Sequence, residues 1–158
     1  MLSVPGADAD GALYLRTRED ADAIRAHFDN GKRLAIIGAG WIGLEVAAAA
    51  RAAGTTVTVI EMADLPLLGV LGPELARVFA DLHVGNGVDL RLGRQLGEIT
   101  TGHRHVTGVR LTTGETVPAD AVIVGVGIEP NLTLAASADR LADSTVAYSS
   151  LYSAAERT

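Results

Sequence analysis

The chain has 158 residues, 48% hydrophobic and 20% charged, which suffices for one sizeable core and is too apolar for a disordered polymer. A formal net charge of −6 without clustered Lys and Arg argues against a nucleic-acid or anionic-membrane surface, and every apolar run is too short to span a bilayer. The lack of cysteine excludes disulfides, CxxC redox pairs and thiolate zinc sites, so redox chemistry must come from a cofactor.

The first residues lack the basic start and apolar stretch of a secretory signal, so the expected compartment is the cytoplasm. Turn residues and one short extended piece run to about Leu15. Thr17-Arg18-Glu19-Asp20 then resembles a capping box, predicting a helix to about Asn30 with Gly31 as its stop. Leu34 to Ile37 is a continuous apolar run, the pattern of a buried parallel strand, and is expected to be the central one. Trp41 to Ala53 predicts a helix of small residues, with Ala47 to Ala50 in its middle and Gly54 at its end. Thr56 to Glu61 is β-branched and ends in an acid, completing a right-handed βαβ unit.

Gly72-Pro73 starts a further predicted helix, ending near Gly85 or Gly87, with Leu75, Val78, Phe79 and Leu82 at helical spacing as core candidates. Val88 to Leu92 reads as a third parallel strand. Leu96–Thr100, Val106–Thr112 and Thr116-Val117 predict an antiparallel meander in place of a helix, and Ala121 to Val126 is the last strong strand. The expected fold is α/β: a Rossmann-like, doubly wound domain with a central parallel sheet, helices on both faces and a small meander.

Gly38-Ala39-Gly40-Trp41-Ile42-Gly43 is a GxGxxG turn, and its context is complete: a strand before, a helix after, a second strand on schedule and an acid at that strand's end. Gly38 permits the tight turn, Gly40 removes a side chain between backbone and pyrophosphate, and Gly43 lets the helix approach the sheet. The free N–H groups of Trp41 and Ile42 would face phosphates with the helix dipole behind them. Glu61, 18 residues beyond Gly43, matches the spacing of a carboxylate that accepts from the adenosine ribose hydroxyls. A 2′-phosphate there would meet a like charge, at a cost of about 4 kcal/mol per pair at ~4 Å and an effective dielectric near 20, before screening. With no Arg or Lys from Met62 to Leu71, NADH is expected over NADPH.

Glu45 sits two residues after Gly43, in the first turn of the glycine-turn helix, where an acid is stabilised by the dipole with or without a ligand. The Trp41 ring could line the site or cover apolar surface. His27, His83, His103 and His105 make no metal-ligand pattern and are expected to be solvated; the last two would share one face of a strand. There is no GxSxG elbow, and the pairs Tyr14/Arg18 and Tyr148/Tyr152 do not make Tyr-x-x-x-Lys, so no catalytic acid or base is assigned.

Gly6-Ala7-Asp8, Tyr14-Leu15-Arg16-Thr17, the stretch Ile37 to Glu45 and the stretch Ala119 to Asn131 together resemble the FAD-dependent pyridine nucleotide reductases, nearest to the ferredoxin, rubredoxin and putidaredoxin reductases. The resemblance runs from about Pro5 to Asn131. It implies that residues 1–158 are a single NAD(H)-binding domain with a core of about 5–131 and a divergent tail at 132–158, and that the FAD and interface domains are absent. The motif's position implies NAD, with FAD not binding this chain alone. Glu45 and the Val126-Gly127 turn would lie near the nicotinamide, and Glu61 would hold the adenosine ribose. The implied partners are an FAD domain or flavoprotein and, through it, a ferredoxin-like iron–sulfur protein. Two departures stand out: Leu65 to Gly69 lacks the basic residue often found there, and Ser144 to Thr158 does not resemble the usual return into the FAD domain. Two other readings stay open, a free-standing NAD(H)-sensing module docking onto a flavoprotein and a self-contained dehydrogenase.

Overall fold

The computed structural model describes residues 2–127. Its elements in chain order are β1 (Ala12–Tyr14), α1 (Arg18–Arg25), β2 (Arg33–Ile37), α2 (Trp41–Ala52), β3 (Thr56–Ile60), α3 (Leu68–Gly85), β4 (Asp89–Arg91), β5 (Leu96–Gly102), β6 (His105–Leu111), β7 (Thr116–Pro118) and β8 (Ala121–Val124). Five strands form a sheet in the order β1-β8-β2-β3-β4, with every pairing parallel and β2 at its centre. β5, β6 and β7 form a separate antiparallel sheet, the expected meander. The short extended piece before Leu15 proves to be the sheet's edge strand, paired to β8 from Ala12↔Val122 to Tyr14↔Val124.

Because β2 and β8 are apolar at every position but Arg33, each buries side chains on both faces of the sheet. Leu34, Ile36, Val57, Val59 and Ile123 pack with Ile24 of α1, with Leu44, Ala47 and Ala50 of α2, and with Leu71 and Phe79 of α3. On the opposite face Ala35, Ile37, Ile60, Val122 and Val124 pack with Leu96, Ile99, Val109, Leu111 and Val117 of the meander. Helices were expected on both faces; among the described residues all three lie on one, and a β layer covers the other. The crossovers β1-α1-β2, β2-α2-β3 and β3-α3-β4 all step the same way along the sheet, so a common right hand places their helices on the same side. Only the return from β4 to β8 runs backwards, through the meander.

The Thr17 capping box is present, with Asp20 as its reciprocal acid. The helix stops at Arg25, short of Asn30, since the N–H groups of His27 and Phe28 bond back three residues and that of Asp29 is taken by Thr55 Oγ1 at 3.0 Å. α3 begins earlier than expected, with one turn before a kink at Gly72 (φ 71°, ψ 173°); Pro73 then opens the longer piece, where its missing N–H costs nothing. Within that piece Leu75, Val78 and Leu82 are 53%, 60% and 56% exposed, and Ala76, Ala80 and His83 are buried instead. The small side chains of Ala76 and Ala80 let the helix backbone come close to its neighbours, so the larger apolar residues face outward.

His83 is also not solvated: its Nδ1 lies 2.8 Å from the carbonyl oxygen of Phe79 and its Nε2 3.3 Å from that of Leu44, tying α3 to α2. His103 is not in a strand but in the β5–β6 turn, where it and Arg104 have φ of 51° and 71°. At the foot of the sheet Asp120 accepts from Arg33 N and Nη2, both at 2.9 Å, and this pairing holds its carboxyl below the ordinary carboxylate range. No helix among the described residues is long and apolar enough to cross a membrane. The expected turn residues 128–131 and the tail 132–158 lie outside the described residues.

Candidate functional site

All five parallel strands end on the same side, the edge at which open α/β sheets receive ligands. The glycine turn occupies the middle of that edge, between the end of β2 and the start of α2. Gly38 has φ 99°, and a Cβ there would come within 2.6 Å of the Gly125 carbonyl oxygen. A Cβ on Gly43 would come within 2.1 Å of the Gly38 carbonyl oxygen. Side chains at either position are therefore sterically impossible without backbone movement. Gly40, at φ −78°, is different: a Cβ there would meet no heavy atom within 4 Å and would project into open space.

That open space is where a group passing over the turn would lie, and the start of α2 faces it. Gly40 is the N-cap and supplies no side-chain bond; the N–H of Leu44 donates to the Gly40 carbonyl at 3.0 Å, and the N–H groups of Trp41 and Ile42 precede it at the helix start. Their side chains serve packing. The Trp41 ring, 46% exposed, meets Phe79 edge-on at 5.6 Å between centroids, and Ile42 packs on the helix-side core. The ring thus covers part of α3.

Glu61 follows β3 directly and is partly buried, so it is not a merely solvated strand end. Its Oε2 accepts from Ala39 N at 2.6 Å and its Oε1 from Ala63 N at 2.9 Å. The carboxylate pins the glycine turn to the β3 loop, and each oxygen keeps a further lone pair for a hydroxyl. Leu67, in the left-handed region at φ 55°, closes the same loop by donating its N–H to the Ala39 carbonyl at 3.1 Å. Glu45 stands in the second turn of α2, not the first, and is exposed beside a groove lined by Leu15, Ile24 and Phe28. Val126 is exposed one residue past Gly125, and Gly127 has φ 108°.

The structure therefore brings Gly38, Gly40, Trp41, Ile42 and Gly43 together in one turn to which Glu61 is hydrogen-bonded at Ala39, with Glu45 further along the helix. Gly125 was missed by sequence reasoning, although a glycine ending the apolar run of β8 was the signal for it. Its N–H donates to the Ile37 carbonyl at 2.8 Å, which draws its backbone against the turn. Among the described residues no group of His, Asp and Glu could hold a metal ion.

Residues 1–145 match the family model for pyridine nucleotide-disulphide oxidoreductases. The chain belongs to that family. Among its relatives in this oxidoreductase family is the 5,5′-dehydrodivanillate O-demethylase ferredoxin reductase subunit of a Sphingobium species, 47% identical over 130 residues, or 82% of this chain and 32% of the relative. Another is the ferredoxin–NAD(+) reductase component of a p-cumate 2,3-dioxygenase system from Pseudomonas putida, 49% identical over 75% of this chain and 29% of the relative. The putidaredoxin reductase of a covalent reductase–putidaredoxin complex superposes with a TM-score of 0.83 at 38% identity, covering 90% of this chain and 36% of that one. The chain thus spans about a third of the length of the relatives it matches.

Proposed function

We propose that this chain is the NAD(H)-binding domain of a flavin-dependent, ferredoxin-reductase-like oxidoreductase and that it favours NADH over NADPH. The observation that carries the reading is the open position of Gly40 beside the start of α2, flanked by two glycines that are sterically obligatory. A pyrophosphate fits there, because backbone N–H groups and the helix dipole supply the positive end without any lysine. Glu61 would accept from the adenosine ribose hydroxyls while keeping its bonds to the turn, and Glu45, Val126 and Gly127 would lie toward the nicotinamide. The relatives described as ferredoxin reductases support the same reading.

When bound, NADH would supply hydride chemistry, which in this reading serves an FAD held by other domains and, through it, a ferredoxin-like iron–sulfur protein. The task of this chain would be positional: the glycine turn and Glu61 would hold the dinucleotide for that transfer. The test is calorimetric titration of the purified chain with NADH and with NADPH. Selective NADH binding, without ferredoxin reduction until flavoprotein is added, is the expected result; equal affinities would refute the preference, and turnover without flavoprotein would refute the division of labour.

A further inference from the structure

Resting on the NAD(H) reading, we propose that Arg94 is the cation beside the adenosine ribose, placed to pair with a 2′-phosphate, so that coenzyme choice is set by Glu61 and Arg94 together. The segment after Glu61 contains no Lys or Arg as far as Leu71, but the sheet delivers one from elsewhere. Just beyond β4 the chain folds back on the Glu61 loop: the Gly93 N–H donates to the Ala63 carbonyl at 3.0 Å, and the Arg94 N–H donates to the carbonyl of Glu61 itself at 2.9 Å. That pairing sets the two backbones roughly one strand spacing apart, about 5 Å, well within the reach of a guanidinium.

No acid holds the guanidinium. Arg94 is exposed, its Nη1 donates to the neighbouring Gly93 carbonyl at 3.4 Å, and it has no ion pair within 4.0 Å among the described residues. Arg91, on the same stretch, is by contrast held by Asp89 and Glu115. Nor does Glu61 neutralise Arg94, since its carboxylate is turned to the N–H groups of Ala39 and Ala63. The other acid nearby is Asp64, whose Oδ1 would lie 3.5 Å from a Cβ on Gly93. A ribose at Glu61 would therefore meet two carboxylates and one free cation, and an arginine in that place is the group that accommodates a 2′-phosphate.

The experiment is titration of five forms of the chain with NADH and NADPH: native, Arg94→Ala, Glu61→Gln, the double variant, and Glu61→Gln combined with Arg94→Lys, each checked for native circular dichroism. Arg94→Ala should weaken NADPH binding about tenfold while leaving NADH within about threefold, the loss of one charge-assisted pair. Glu61→Gln, whose amide can accept from only one of the two N–H groups, should raise the NADPH-to-NADH affinity ratio, the double variant should lose that gain, and Arg94→Lys should restore part of it. Equal effects of Arg94→Ala on both coenzymes, or none on either, would overturn the proposal. If native NADPH binding is too weak to measure, the Glu61→Gln pair decides it; if Glu61→Gln does not fold, the native pair does. Binding of neither coenzyme by the native chain would instead overturn the dinucleotide reading, and this inference with it.

Discussion

Gly40 and Gly43 lie three residues apart in one turn and should respond to the same substitution in opposite ways. In Gly43→Ala the new methyl would sit 2.1 Å from a backbone oxygen, so α2 must move; a cost of about 1–3 kcal/mol is expected, with NADH binding lost. In Gly40→Ala the methyl meets nothing and φ is ordinary, so the melting temperature should hold while NADH binds about tenfold more weakly. Thermal melts and titrations on the two variants separate fold from site, and native affinity in Gly40→Ala would place the pyrophosphate elsewhere. Asp120 carries a pH dependence of known sign. The Arg33 guanidinium lowers its carboxyl in the folded state, so its contribution is fully present above the ordinary value of 3.8 and is lost as pH falls through the folded value. Because both partners are partly exposed, Asp120→Asn should cost about 0.5–1 kcal/mol at neutral pH, a gap that urea unfolding should show closing below about pH 4. The glycines and Glu61 were legible in the sequence because spacing encodes them, whereas Arg94 was not, since the turn after β4 brings its backbone beside that of Glu61 across 33 residues of chain.

Among the elements, α3 shows why helical spacing alone misleads. Leu75, Val78 and Leu82 recur at helical intervals, but so do Ala76, Ala80 and His83, and the second set is buried. Hydropathy favours the first; close approach to neighbouring elements selects the second. Serine at Leu75, Val78 or Leu82 should thus change stability by less than about 0.5 kcal/mol each, while Ala76→Leu should cost about 1–3 kcal/mol by overpacking, as measured by denaturant unfolding. The helix boundaries at Arg25 and Leu68 escaped sequence reading for a related reason, since Thr55 Oγ1 ends one segment and the buried left-handed Leu67 begins the other, both being tertiary events. His103 and Arg104 carry no turn signature either, yet both hold positive φ, where Asn-Gly would be the ordinary choice.

For the molecule as a whole, the strand and helix sequence was readable from apolar runs and glycines, but the placement of the layers was not. Which face a helix covers depends on the direction its crossover steps, and that is known only once β8 is seen to insert between β1 and β2. The same insertion brings Gly125 against Gly38, so the ends of two strands and the head of a helix touch through main chain alone. In the proposed reading this backbone is the binding surface, and a surface of that kind has no rotamers to freeze. Much of the ordering that association would otherwise exact has already been met when the chain folds, and little of the attraction between protein and ligand is then spent on arranging the protein.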